Sequence, residues 1–250
     1  AEDHSPDPPA ALAGEILELI SDATRIRLRA DVTVGAYLSG GLDSSGISSL
    51  IARRFDRRLR TFGIRFAEAP FDEGSAQSEM AAFLGVEHRE LAAESSLIAA
   101  AFPDVVRHCE APAPRTAPVP MFLLSGLVRE QGIKVVCTGE GADEIFGGYD
   151  IFREALVRRF VLRRPSSIRR ASLFERLYPQ IFRTPREKAS FRQFMTAAPA
   201  DPAEPLFSHL VRWTNTARIK EFFSGDLHAR IGGYSAIEDL TRMLPPDFRR

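Results

Sequence analysis

Cysteine is nearly missing from this 250-residue chain, which has only Cys109 and Cys137. The two are neither spaced as a CxxC nor matched with nearby histidines, which excludes a disulfide framework and argues against a zinc site. Each is expected to be a buried thiol. Lysine is almost as scarce, with only Lys134, Lys188 and Lys220. No run of about eighteen apolar residues exists, so no membrane partner is expected. The opening AEDHSPDPPA has neither the basic end nor the apolar stretch of a signal peptide, and a cytoplasmic location follows by default. An excess of charge is missing as well: 33 basic side chains against 33 acidic ones give no overall reason to expect a nucleic acid partner.

With 44% hydrophobic and 26% charged residues, the chain can bury a full core. It lacks an initiator Met, opens Pro-rich and stops abruptly at Arg249-Arg250, so it is expected to be an excerpt of a longer protein. Leu12, Ile16, Leu19, Ile20, Ala23 and Ile26 recur at three and four, the pattern of an amphipathic helix ending near Arg29. Val32 to Leu38 reads as a buried strand running into Ser39-Gly40-Gly41, with a helix from Ser44 to Arg54. The alternation continues with strand Arg60–Phe66, helix Asp72–Leu84, strand Glu87–Leu91 and helix Ser95–His108. Helix Pro120–Gln131 and strand Ile133–Thr138 close it. Strands alternating with helices imply parallel βαβ units with right-handed crossovers, hence an α/β fold whose parallel twisted sheet carries helices on both faces. Ligands of such sheets sit beyond the carboxyl ends of the strands, where both Gly-rich turns lie.

From Ile151 onward the pattern is all-helical, interrupted at Pro165, at Pro185 and between Pro199 and Pro205. Three segments result: a linker remnant at 1–10, a core at 11–150 and a helical extension at 151–250. Between Ile151 and Ala200 stand twelve Lys or Arg and three Glu, a local excess of nine positive charges. These form either a solvated helical face or a basic surface for polyphosphate, a partner domain or RNA. Trp213, Phe222 and Phe223 read as core of the extension. His88 reads as a structural histidine rather than a base.

The strongest feature is Leu38-Ser39-Gly40-Gly41-Leu42-Asp43-Ser44-Ser45, between a strand and a helix. Two glycines let backbone N–H groups approach an anion, the helix start aims its positive dipole end at the same place, and Ser39, Ser44 and Ser45 add hydroxyl donors. That is a cradle for phosphate or pyrophosphate. Asp43 fits beside a polyanion only if a cation intervenes, so it reads as a Mg²⁺ ligand. A Walker A loop is excluded because Ile47 stands where its Lys belongs.

The second feature is Thr138-Gly139-Glu140-Gly141-Ala142-Asp143-Glu144-Ile145-Phe146-Gly147-Gly148-Tyr149, again at a strand end. Its sixth GxGxxG position is Glu144, so no dinucleotide fingerprint is present. The acids divide into Asp143 as a second Mg²⁺ ligand, Glu140 as an acid/base group near the α-phosphate, and Glu144 as a helix-terminal support. Tyr149 either packs under a nucleotide or anchors the next helix.

SGGLDSS followed about a hundred residues later by GEGADEIFGGY resembles the synthetase domain of the asparagine synthetase family, among the PP-loop ATP pyrophosphatases. Thr61 to Phe66, Phe71-Asp72-Glu73 and Leu84 to Glu90 agree with it, and the likeness is close from Leu12 to Tyr149. The resemblance implies a PP-loop, HUP-type nucleotide-binding core. Leu38, Ile64, Thr138 and Gly139 would line an ATP pocket, with Ile64 offering backbone groups to adenine. Ser39, Gly40, Gly41, Ser44 and Ser45 would hold the departing pyrophosphate, Asp43 and Asp143 would share Mg²⁺, and Glu140 would act in forming or aminating an acyl-adenylate. The implied enzyme is an AMP-forming carbon–nitrogen ligase using a carboxylate, aspartate in the namesake, and ammonia from a glutaminase domain N-terminal in the full-length chain. A homodimer is compatible with that reading. No cysteine precedes Cys109, so this stretch contains no glutaminase nucleophile. The family's catalytic Lys is expected beyond residue 250. The competing readings are a PP-loop tRNA modifier and a catalytically inactive nucleotide-binding regulatory module.

Overall fold

The computed structural model describes residues 8–68, 72–178, 184–196, 201–245 and 248. Residues 1–7 of the expected linker, Phe71, Pro199, Arg249 and Arg250 lie outside them. The chain forms two compact units that divide between Ala142 and Asp143.

The first unit begins with α1 (Pro9–Arg27), β1 (Val34–Tyr37) and α2 (Leu42–Leu50), which widens into a π-helical turn over Ile51–Phe55. β2 (Arg60–Phe66), α3 (Gly74–Leu84), β3 (Glu87–Ala93), α4 (Ser95–Cys109), α5 (Pro118–Glu130) and β4 (Val135–Cys137) follow. The four strands form one all-parallel sheet in the order β3-β2-β1-β4. Chain order runs outward from β1 on one side and returns to its other side at β4, so the order reverses beside β1, the place where parallel sheets open a ligand crevice.

Both faces are covered, as parallel strands require. Ala36 and Cys137 pack with Ile47, Ile51, Leu59, Leu84 and Val86 on one face. Their chain neighbours Tyr37 and Val136 point the other way and meet Phe62, Leu124, Val128 and Ile133 beside α5. The expected α/β fold is thus present.

Several local expectations need correction. α1 is a helix, but its apolar stripe is not its packed side: Ile16, Leu19 and Ile26 are exposed, and the buried residues are Ser21 and Thr24. Ser21 accepts from Arg54 Nη1 at 2.8 Å, so a polar contact rather than the stripe ties α1 to the core. Cys137 is buried, and burial raises its thiol pKa, opposed by Arg27; Cys109 is exposed at the last residue of α4.

The second unit is helical throughout the described residues: α6 (Ala142–Phe146, its first residue in the other unit), α7 (Asp150–Leu162), α8 (Ile168–Ala171), α9 (Pro185–Thr196), α10 (Phe207–Ala217), α11 (Gly225–Ile231) and α12 (Ala236–Met243). Its core gathers Val161, Phe174, Phe191 and Met195. Pro185 opens α9 rather than interrupting a helix, a position where its missing N–H costs nothing. Phe222 is 85% exposed, contrary to its expected core role, whereas Trp213 is half-buried.

Part of the positive excess is internal. Arg158 is buried, donates to the carbonyls of Met195 and Phe207 at 3.0 and 2.8 Å, and lies over the Phe207 ring. Glu154, also buried, is gripped by Arg212 and receives the Tyr178 hydroxyl, whose pKa is driven up by burial first and by that pairing second. Lys188 and Arg192 share Glu175.

Candidate functional site

The carboxyl end of β1 sets the first loop. Leu38 is 1% exposed, and its N–H closes the β1–β2 ladder on the Phe62 carbonyl at 2.8 Å. The chain then leaves the sheet. Gly40 takes a φ of +82°, and a Cβ there would lie 2.7 Å from the Cβ of Ala76 on α3, so both the turn and the approach need glycine. Gly41 is extended and serves as the N-cap of α2, which starts at Leu42, two residues earlier than the sequence suggests. Asp43 therefore sits inside the first helical turn, and it is exposed.

The hydroxyls of the loop organise its backbone. Ser39 Oγ and Ser44 Oγ are 2.8 Å apart, Ser44 Oγ accepts from the Ser39 N–H at 3.1 Å, and Ser39 Oγ accepts from the Gly41 N–H at 3.2 Å. Ser44 also donates to the Gly41 carbonyl at 3.3 Å. The loop is thus preformed. Gly41 brings no capping side chain to α2, so the first-turn N–H groups of that nine-residue helix fall to solvent or to a bound anion.

The second loop arrives from β4. Thr138 is half-buried, and its hydroxyl accepts from the Glu140 N–H at 3.4 Å. A Cβ on Gly139 would lie 2.8 Å from both the Asp43 Cβ and the Ser44 backbone nitrogen, so the two Gly-rich turns, about a hundred residues apart in sequence, meet backbone to backbone. Leu38, Ser39, Gly40, Gly41, Asp43, Ser44, Thr138 and Gly139 thereby share one rim, with Ser45 in the first turn of α2 and Ile64 near the end of β2. Glu140 is exposed on the turn after Gly139.

Asp143 opens the second unit. Its carboxylate lies against Gly148, where a Cβ would come within 1.9 Å of Oδ1, and its carbonyl accepts from the Gly148 N–H at 3.1 Å. Glu144 Oε1 accepts from the Tyr149 hydroxyl at 2.8 Å, joining α6 to the residue that caps α7. Among the described residues no group of three or more His, Cys, Asp or Glu could hold a metal ion by itself. The exposed carboxylate of Asp43, taken within its own unit, is of the hard type that Mg²⁺ uses, since that ion binds through one or two carboxylates plus phosphate oxygens rather than an all-protein cage.

Around the rim, charge is locally balanced. The Arg65 guanidinium holds the Asp72 carboxyl below its ordinary value through a hydrogen bond, helped by the Phe66 N–H, and Arg65 also faces Glu90 at 3.7 Å. His88 Nδ1 meets the Thr61 hydroxyl at 2.9 Å and its ring is buried, which pushes its pKa down against the pull of Glu90. The structural reading of His88 fits this setting. Sequence reasoning passed over Gln77, which is buried and donates to the Ile64 carbonyl at 2.9 Å. The available signal was Gly63 inside a strand, since a glycine there marks the close approach of another group.

Compared with known proteins, residues 15–245 match the family described as Asparagine synthase. The putative asparagine synthetase (glutamine-hydrolyzing) of Mycobacterium tuberculosis strain H37Rv is 40% identical over 157 residues, 63% of this chain and 24% of that protein. Asparagine synthetase (glutamine-hydrolyzing) 1 of Bacillus subtilis strain 168 is 35% identical over 162 residues, 65% of this chain and 25% of that protein. Amidase chry2 of Gibberella zeae is 36% identical over 152 residues, 55% and 23%. The chain spans about a quarter of the length of these curated relatives. No described helix is long and apolar enough to cross a membrane.

Proposed function

This chain belongs to the asparagine synthase family, and from that premise we propose that it supplies the ATP-binding part of an amide ligase that adenylates a carboxylate and lets ammonia displace AMP. The observation that carries this reading is the meeting of the two Gly-rich turns at Gly139, Asp43 and Ser44, beside the reversal of strand order. Residues 11–150 act as the nucleotide-binding core and 151–250 as its helical extension.

The loop from Ser39 to Ser45 binds the β- and γ-phosphates, with the first-turn amides of α2 receiving negative charge as pyrophosphate departs. Asp43 and Asp143 would hold Mg²⁺, which when bound neutralises the triphosphate and orients it for in-line displacement. Leu38, Ile64, Thr138 and Gly139 line the nucleotide, with the backbone of Ile64 facing the base. The substrate carboxylate attacks the α-phosphorus, forming an acyl–O–P bond as the bond to pyrophosphate breaks. Ammonia then attacks the acyl carbon, and AMP leaves. Ammonium must first lose a proton to become a nucleophile, and Glu140, exposed on the turn at this rim, accepts it. The ammonia comes from glutamine hydrolysed elsewhere in the full-length protein.

The test is a product assay of the full-length protein with ATP, Mg²⁺, aspartate and ammonium. AMP and pyrophosphate are the expected products. ADP and phosphate would overturn adenylation, and ATP bound without turnover would leave the regulatory module.

A further inference from the structure

Gln77 on α3 is 1% exposed, and a buried amide is costly unless both of its ends are satisfied. Only one is: Nε2 donates to the Ile64 carbonyl at 2.9 Å, whereas Oε1 has no partner among the described residues. The carbonyl it holds occupies a particular place. β1 pairs with β2 as far as Tyr37 opposite Phe62, and the Leu38 N–H closes that ladder on the Phe62 carbonyl. Backbone groups on one edge of a strand recur at every second residue. The next carbonyl on that edge is therefore that of Ile64, just beyond the point where β1 turns away into the glycine loop. The Gln77 side chain stands in for the strand that has left.

It fits there because residue 63 is glycine: a Cβ at Gly63 would lie 2.0 Å from Gln77 Oε1. The same turn of α3 also backs the phosphate loop, since a Cβ on Gly40 would come 2.9 Å from the Ala76 carbonyl carbon and 3.0 Å from the Gln77 nitrogen. One helical turn thus touches the base side and the phosphate side of the rim at once.

The geometry points to Gln77 as a positioning residue for the purine: it fixes the Ile64 peptide, the edge on which the base docks, in register with the loop that takes the phosphates. This rests on the nucleotide reading given above. Gln77 does not touch the nucleotide; it acts through Ile64, as a support that keeps a binding group within a fraction of an ångström of its productive place. Its loss costs the base-dependent part of affinity and spares the phosphate-dependent part.

Calorimetric titration of Mg·ATP and of Mg·pyrophosphate into the purified chain and its Gln77→Leu variant tests this. The expected result is an ATP Kd raised about tenfold, the worth of one net hydrogen bond, with the pyrophosphate Kd within about twofold of the unsubstituted chain. An unchanged ATP Kd, or equal losses for both ligands, overturns the assignment. Failure of the unsubstituted chain to bind ATP at all would overturn the nucleotide reading itself, an outcome separate from the Gln77 comparison.

Discussion

Gly139 touches Asp43 and Ser44 so closely that even a methyl group must displace backbone. Such overpacking costs about 1–3 kcal/mol, and here it falls on the cradle rather than the core. Gly139→Ala is therefore expected to weaken ATP binding about tenfold or more while leaving the far-UV circular dichroism unchanged. The Asp43 carboxylate makes no hydrogen bond or ion pair among the described residues, so Asp43→Ala should abolish the Mg²⁺-dependent share of ATP affinity; a variant whose ATP affinity still falls with EDTA as much as the unsubstituted chain's would show the cation is held elsewhere. Glu154 is a different kind of residue, a buried carboxylate whose partners are Arg212 and Tyr178. Breaking a buried pair leaves a charge uncompensated. Because the Arg212 side chain is 40% exposed, Arg212→Met should lower stability to urea by about 2 kcal/mol, read as a shifted midpoint, without altering ATP affinity.

Where elements pair, His88 couples β3 to β2 through Thr61, and Glu90 and Arg65 face the same cluster. Burial holds the His88 pKa below its ordinary 6.5. A group depressed in the folded state contributes stability above its unfolded pKa and loses it as pH falls through the folded value. The wild-type chain should therefore lose stability as pH drops below 6.5, and His88→Gln should flatten that loss in urea titrations repeated across the window. His209, lowered by burial and by Arg212, adds a residual slope of the same sign. The sequence was most legible at this scale. β2 was read residue for residue because turn residues bound its apolar run. β4 was read too long: Ile133 is buried as core, but ladder bonds form only where β1 runs alongside, from Val135 to Cys137. The start of α2 was read late because two glycines look like coil, although Gly41 in an extended conformation is a working N-cap. Both Gly-rich turns were visible as strings, but their meeting at Gly139 is a tertiary fact that no spacing encodes. Gln77 escaped because a lone Gln on a helix resembles surface until its neighbour at 63 proves to be the glycine beneath it.

For the molecule as a whole, a ligand that binds only the folded state raises its stability by mass action, about 2.7 kcal/mol at a hundredfold excess over Kd. Saturating Mg·ATP should thus raise the unfolding temperature of the unit through Ala142, and EDTA should cancel most of the rise; no shift at saturating ligand would contradict binding at that rim. The choice of reporter matters, because the outward stripe of α1, with Ile16, Leu17, Leu19 and Ile26 all more than a third exposed, gives the native chain an oily flank. An environment-sensitive dye such as anilinonaphthalene sulfonate will fluoresce on that flank before any heating begins. Melting curves recorded with such dyes will start bright and understate the transition, while the single indole at Trp213, half-buried among the helices of the other unit, reports a separate event.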